Sequence, residues 1–387
     1  MKTNSKGAII IEGHVQGLSN VRSLGEKGIP VYVMDVCHCL AQHSKYCKKY
    51  FRCPAFNTPE FIDFLIEIGK KEKLDGWVLI PSNDHIVENL SNNKERLQPY
   101  FKTIAPEPAT INNIVNKKNL LKVAEACGTP IPATCYPESK DQIDNLRFPV
   151  LIKGNMGLSF YKATHAKAIQ IDTPNEVKPI LDNVLSKVSC DNVMIQELLP
   201  FDHEHKVVSF TCFAENGEIK SYWMGDKLRE HPIKYGTATY SRSISIPQVL
   251  ENAIPLVKSL NYTGVCEIEF MRDLRDGIYK LIEINPRTWL WVGLAKACGV
   301  DYAYLIYSYL NNQTIEYPQI YKIDIKWINW VTDSVYGIKG IVKGHFTIVE
   351  YLKSLKGEKV RAIWSNSDIM PGLLFPFLLI HIASRRR

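Results

Sequence analysis

Residues 264–287 read GVCEIEFMRDLRDGIYKLIEINPR. Two β-like runs, 265–270 and 278–284, flank a polar turn at 272–277, the pattern of an antiparallel hairpin. Side chains alternate faces along a strand, so Glu267 and Glu269 share one face while Cys266, Ile268 and Phe270 take the other. With the turn centred near Asp276, Glu269 falls opposite Glu283 and Glu267 opposite Asn285. Three carboxylates and a carboxamide are therefore expected on one face. Like charges directly opposite destabilise a ladder. A hard divalent cation with oxygen ligands relieves them, and Mg2+ held by a few carboxylates plus nucleotide phosphates has that character. The bland alternative is a solvated hairpin whose charge is offset by Arg272 and Arg275.

The spacing from Glu269 to Glu283 and the triplet Glu283-x-Asn285-x-Arg287 resemble the metal-binding end of the ATP-grasp superfamily, which includes biotin carboxylase, D-alanine–D-alanine ligase and carbamoyl phosphate synthetase. The resemblance covers roughly residues 1–312 and is most specific at 265–291. It implies an α/β chain in which an N-terminal parallel α/β domain (1–110) precedes a two-subdomain ATP-grasp fold (111–312), leaving a C-terminal segment (313–387). It also implies ATP and Mg2+, with Mn2+ as the alternative, and metal ligands Glu269, Glu283 and Asn285.

Alternating elements support the first domain. Strands are expected at 8–12, 30–35 and 77–81, and helices at 20–27 and 61–72, an order that argues for a small parallel sheet. The GHVQG stretch at 13–17 reads as a loop at a strand end, where a phosphate can sit, but one G-x-x-x-G is weak evidence. His14, Ser82, Asn83 and Asp84 lie at expected strand ends, where α/β proteins bind ligands; capping and turn roles compete.

The Pro-rich APEPAT at 105–110 marks a boundary, and 116–127 reads as a helix. Lys117, eleven residues before Gly128, is placed like the first nucleotide lysine of ATP-grasp enzymes, with Lys118 as the adjacent alternative. FPVLIK at 148–153 is an apolar strand ending in Lys153, where a cation can reach phosphates while the strand fixes its stem. The resemblance makes Lys153 the second phosphate lysine. It departs from the family after that point. GNMGLSFYKATHAK carries only Gly154 and Gly157 where many members have a glycine-rich lid, leaving backbone amides, Lys162 or His165 to meet phosphate. VMIQELL at 193–199 resembles the strand and linker against which the family lays adenine, with backbone groups of Glu197 and Leu199 reading the base. Glu204, or else His203, is the candidate for the ribose hydroxyls. Lys227, Arg229 and Glu230 read as a charged, solvated loop at 225–236, and Trp289 and Trp291 as core or pocket wall.

The chain has 387 residues, 45% of them hydrophobic, enough for two or three domains. Its net charge of +7 suits anionic small ligands and gives no argument for nucleic acid. The N-terminus lacks a signal-peptide pattern, so a cytoplasmic location and reduced thiols are expected for the ten cysteines. Those near 37–53 do not follow a zinc spacing. Strand-like 323–331 and helix-like 346–355 precede an apolar run at 372–383 that ends in Arg385-Arg386-Arg387. That run is shorter than the roughly 20 residues a membrane span needs; docking on the body is expected, with weak contact to a membrane surface as the alternative.

The chemistry implied by the resemblance is activation of a small-molecule carboxylate by ATP and its capture by an amine. Arg287 would steady the oxyanion and Lys153 the phosphates, most like the carboxylate–amine ligases that include D-aspartate ligases. A small-molecule kinase and a non-catalytic ATP-binding regulator share every nucleotide contact and stand as the alternatives. A homodimer is compatible with all three.

Overall fold

The structure is a computed structural model that describes residues 6–137, 143, 145–200, 207–231 and 236–385. Among these the strands form three sheets. The first is parallel and holds β1 (Ala8–Ile11), β2 (Val31–Asp35), β3 (Cys47–Arg52), β4 (Trp77–Pro81) and β5 (Phe101–Thr103), in the order β3-β2-β1-β4-β5. Strand β1 is the point where the order reverses. In such sheets the crevice outside the carboxyl ends of the strands is the natural ligand site, and Glu12, His14 and 82–84 follow β1 and β4 there. The stretch 13–17 is not an open loop: the helix Val15–Glu26 already starts inside it. Gly17 is needed because a Cβ there would lie 2.2 Å from the Glu12 carbonyl oxygen.

The second sheet contains β6 (Thr134–Cys135), β7 (Val150–Gly154), β8 (Ala168–Ile171) and β9 (Val193–Glu197), ordered β6-β9-β7-β8 with antiparallel pairings. The helix Pro174–Leu185 covers it, burying Val177, Leu181 and Val184 at helical spacing. The expected lid loop after Lys153 instead contains the helix Gly157–Thr164, anchored by buried Phe160. With few glycines, its residues favour a helical turn over an open loop.

The third sheet contains β10 (Val207–Glu215), β11 (Glu218–His231), β12 (Thr237–Ile244), β13 (Gly264–Arg272), β14 (Tyr279–Asn285), β15 (Lys326–Ile328) and β16 (Lys359–Arg361), ordered β14-β13-β10-β11-β12-β15-β16. Its apolar face, with Phe210, Cys212, Ile268 and Phe270, packs with Val249, Ala253 and Leu256 of the helix Pro247–Ser259. The opposite face carries Ser209, Thr211, Glu267 and Glu269, set by the β10–β13 register. Trp223, Trp289 and Trp291 pack beside that face: Trp223 stacks on Trp289 at 5.7 Å between ring centroids and meets Trp291 edge-on at 5.3 Å. Gly225 leaves room for them, since a Cβ there would come within 2.4 Å of both Trp223 and Trp291. The two tryptophans after Arg287 are therefore core.

The segment after residue 312 shares this sheet through β15 and β16. The strand-like stretch 323–331 shortens to the three residues of β15 because the helix Trp330–Val342 begins directly after it. Residues 225–231 are not a solvated loop but the end of β11. There the Arg229 guanidinium donates to both oxygens of Asp333 at 2.8 Å, and Asp333, fully buried, also accepts from Thr239 and Tyr351 hydroxyls at 2.9 Å. The C-terminal helix Met370–Arg385 follows Asp368, which is buried and accepts from Arg22 Nε (2.8 Å), Ser44 Oγ (2.8 Å) and Lys45 N (2.9 Å). No helix among the described residues is long and apolar enough to cross a membrane. All ten cysteines are free thiols.

Removing one partner of a buried ion pair strands the other. Asp333→Ala is expected to cost about 3–5 kcal/mol in chemical denaturation, because it leaves Arg229 buried without its carboxylate.

Candidate active site

The β13–β14 hairpin forms in the register that its spacing predicts: Glu267 lies opposite Asn285 and Glu269 opposite Glu283. A β-bulge after Glu269 shifts the pairing so that Phe270 faces Leu281, and Gly277 (φ 76°) supplies the left-handed turn residue. The carboxylates do not converge on one point. Among the described residues no three His, Cys, Asp or Glu side chains meet closely enough to hold an ion between them. Each acid has instead taken its own partner.

Glu269 Oε1 lies 2.7 Å from Lys227 Nζ, and Glu283 Oε2 lies 3.3 Å from Lys117 Nζ. Glu267 accepts from Ser209 Oγ at 2.7 Å and from Asn285 Nδ2 at 3.0 Å. The Asn285 side-chain Oδ1 accepts from Arg287 Nη2 at 3.1 Å, and Arg287 also pairs with Asp84, the first residue of a helix in the N-terminal domain, its Nε 2.9 Å from Asp84 Oδ1. Behind Arg287, Gln16 Nε2 donates to the Thr288 carbonyl (2.5 Å), and Gln16 Nε2 and Asn20 Nδ2 donate to Thr288 Oγ1 (3.0 Å each). The helix Val15–Glu26 thus holds the residue that follows the arginine.

These partners shape the charges. Burial first, and then the neighbouring Glu269 charge, raise the Glu267 carboxyl to about 7. The Lys117 ammonium, with Lys227 and Arg287 behind it, lowers Glu283 to about 2 against the cost of its burial. For Lys227 burial works against the charge, but Glu269 and Glu267 outweigh it and hold the ammonium well above its usual range. Lys153 is the reverse case: burial and the adjacent Lys117 charge lower it to about 7, with Glu283 opposing. Lys153 Nζ meanwhile donates to Gln196 Oε1 at 2.6 Å.

Lys117, Lys153, Glu283, Asn285, Arg287 and Glu269 are thus brought to one region, Lys153 within the electrostatic reach of both Lys117 and Glu283. Lys227, Asp84, Gln16 and Asn20 join them. Lys227 reaches Glu269 through the sheet register: it shares a face of β11 with Gly225, and Ser209 pairs with both Gly225 and Glu269. The pairing of Asp84 with Arg287, 203 residues apart, had no signal in the sequence beyond its strand-end position.

The adenine-side residues are placed differently. Glu197 ends β9, its N–H donates to the Ala133 carbonyl at 2.9 Å, and its buried carboxylate pairs with Arg275 at 2.7 Å and accepts from Arg147 N–H at 2.8 Å. Its amide is therefore committed within the protein. Leu199, just past the strand, is buried. Glu204 and His203 lie outside the described residues.

Glu269, Glu283 and Asn285 are oxygen donors of the type a hard divalent cation takes, set on adjacent strands, and in this structure Lys227, Lys117 and Arg287 sit on them.

A family described as the ATP binding domain of the carbamoyl-phosphate synthase L chain matches residues 241–309. A D-aspartate ligase of Enterococcus faecium is 24% identical over 252 residues, 60% of this chain and 59% of that protein. The chain thus spans less than two thirds of that relative's length. Among solved structures, biotin carboxylase from Campylobacter jejuni has a TM-score of 0.66 at 15% identity, covering 82% of this chain and 74% of that one. An L-amino acid ligase from Bacillus licheniformis has a TM-score of 0.58 at 13% identity, covering 79% of this chain and 74% of that one. The architecture is the ATP-grasp fold. The stretch matched by the carbamoyl-phosphate-synthase family runs from β12 into the helix Tyr302–Leu310 and includes the β13–β14 hairpin.

Because Glu267 binds its proton more tightly in the folded chain, its contribution to stability is present at low pH and is lost as pH rises from its ordinary 4.5 through about 7. Glu267→Gln is expected to match the parent near pH 5 and to be more stable by about 2–4 kcal/mol near pH 8, as read from urea melts at both values. Glu283, lowered to about 2, works in the opposite sense and loses its contribution as pH falls from 4.5 towards 2.

Proposed function

We propose that this chain is an ATP-dependent carboxylate–amine ligase, forming an amide through an acyl phosphate with release of ADP and phosphate. The observation that carries the reading is the meeting of two phosphate-type lysines, Lys117 and Lys153, with the ionised Glu283 and with Arg287 across Asn285. The likeness to a D-aspartate ligase in sequence supports the amide-forming branch over other uses of the fold.

In this reading Glu269, Glu283 and Asn285 would hold Mg2+, or Mn2+ with the same oxygen preference, once Lys227, Lys117 and Arg287 yield those oxygens, and the ion would supply positive charge to the triphosphate. Lys153 and Lys117 bind the phosphates, and Lys153 takes up a proton as their negative charge arrives. A carboxylate oxygen of the first substrate attacks the γ-phosphorus and ADP leaves. The amine nitrogen then attacks the acyl carbon, forming the C–N bond as phosphate departs. Arg287, oriented by Asp84 and by the backing of Thr288, stabilises the oxyanion of that second attack. Adenine rests at the end of β9, read by main-chain groups from Glu197 to Leu199 other than the Glu197 and Leu198 amides, which donate to the Ala133 and Pro149 carbonyls, with Glu204 on the ribose. The domain division at 110 and 312, small-molecule substrates, a cytoplasmic location and a homodimer complete the reading.

The test is Mg2+-dependent ADP release across a panel of carboxylates, each with and without amines, D- and L-aspartate included. Release that requires both partners is expected; release with one carboxylate alone and a stable phosphorylated product would establish a kinase instead. Glu283→Gln is expected to abolish turnover with unchanged circular dichroism, and full activity in that variant would remove the metal assignment. Calorimetry of ATP binding near pH 7.5, in buffers of differing ionisation enthalpy, is expected to show proton uptake that Lys153→Met removes.

A further inference from the structure

The helix Trp330–Val342 is folded inside out. Val331, Val335, Ile338 and Val342 lie within about 60° of one another at 3.6 residues per turn, and all four are exposed, Ile338 at 64% and Val342 at 81%. The opposite side of the helix, with Asp333, Gly337 and Gly340, is the buried one. A helix on a protein body normally turns its apolar stripe inward. Here Asp333 anchors to Arg229, and the two glycines admit the rings of Tyr351 and Phe346, which a Cβ at either glycine would strike.

The feature is not confined to one helix. Of the nineteen large hydrophobic side chains that are exposed among the described residues, thirteen lie between positions 330 and 377. They include Ile348 and Leu352 on the helix Ile348–Ser354 and Leu373 and Phe377 on the C-terminal helix. Trp330, Val331, Trp364 and Phe375 also line one apolar cleft of about 270 Å³ between the start of the inverted helix and the C-terminal helix. Scattered exposed hydrophobes need no explanation, but so many on one segment, some of them lining a shared cleft, mark an interaction surface.

Charge identifies the partner. The exposed charges on the same segment, from 330 to 361, are Lys339, Lys343, Lys353, Lys356 and Arg361 against Glu350 and Glu358. Asp333 and Asp368 do not offset them at the surface, because they are consumed internally by Arg229 and Arg22. An apolar stripe with lysines beside it and tryptophans at its margin is the chemistry of the headgroup boundary of a bilayer: aliphatic side chains enter the acyl edge, indoles take the interface, and ammonium groups meet anionic headgroups. A second copy of the chain would bring the same excess of cations against itself.

We propose that the outer face of residues 330–377 docks peripherally on an anionic lipid surface. The inference is independent of the nucleotide reading. It is tested by sedimenting the full-length chain with vesicles of phosphatidylcholine alone and of an equimolar mixture with phosphatidylglycerol, at low and high salt. Binding to the anionic vesicles, weakened by salt, is expected. Lys339→Glu with Lys343→Glu is expected to lower partitioning by about thirtyfold or more. Ile338→Asp is expected to abolish it while leaving the thermal melt and ATP binding unchanged, which separates lost docking from lost folding. Failure to bind either vesicle would overturn the proposal. So would equal binding to neutral and anionic vesicles, or a dimer in analytical ultracentrifugation that Ile338→Asp dissolves.

Discussion

The site depends on how a two-stranded hairpin with carboxylates on one face is kept from repelling itself. The β13–β14 register puts Glu269 opposite Glu283 and leaves Glu267 one step away, all on the face turned from the apolar core. Such an arrangement is stable only with compensating positive charge, and the chain draws it from three elements. Lys227 comes from the same sheet, Lys117 from a helix that introduces the second sheet, and Arg287 from the exit of the hairpin itself. The consequence is mechanical as well as electrostatic. Elements distant in sequence are held at one place by the need to neutralise these acids, and the place is also within reach of Lys153.

The three glutamates are not equivalent, and their differences follow from their partners. Glu267 faces a hydroxyl and a carboxamide, which satisfy its lone pairs without paying for its charge, so it holds a proton up to about pH 7. Glu283 faces an ammonium and is ionised far below neutrality. On the proposed reading this division assigns roles: Glu283 and Glu269 offer charge to a cation, while Glu267 orients Asn285. The Arg287 geometry rests on a parallel division. Asp84 supplies its counter-charge, and Gln16 and Asn20, through Thr288, fix the backbone beyond it. A reacting group held by two independent supports is better preorganised than one held by packing alone.

How much of this was legible in the sequence follows from the range of each interaction. The hairpin and its register came through because period-two alternation and a polar turn are local signals. Three of the five strands of the first sheet were legible as short apolar runs, 77–81 at its full length, whereas the polar edge strand β3 and the three-residue β5 were not read. The errors also have local causes. GDKLREHP looks like a loop because charges and a proline crowd together, yet β11 continues because Asp333, 104 residues away, buries the Arg229 guanidinium. Residues 157–164 were read by analogy with a lid, while their few glycines and a bulky Phe160 favoured a helix packed on β7. The metal face was legible as a set of residues but not as a set of contacts, since the sequence carries no sign of which lysine reaches which carboxylate.

The same long-range ion pair that corrects the reading of β11 also explains why the helix Trp330–Val342 tolerates its orientation. Burying an apolar stripe is the usual way a helix is held, and this one forgoes it. In its place stand a bidentate pair whose carboxylate is fully buried, two hydroxyl donors to the same carboxylate, and glycines that let aromatic rings approach the helix backbone. Charge-assisted hydrogen bonds in a desolvated setting are directional, so they fix the rotation of the helix about its axis more tightly than an apolar stripe does. With that rotation set from the inside, Val331, Val335, Ile338 and Val342 are held outward as a consequence of structure. A helix that had only failed to bury its stripe would be free to roll. Anchored through Asp333, this one cannot, and its apolar face is a fixed feature of the surface.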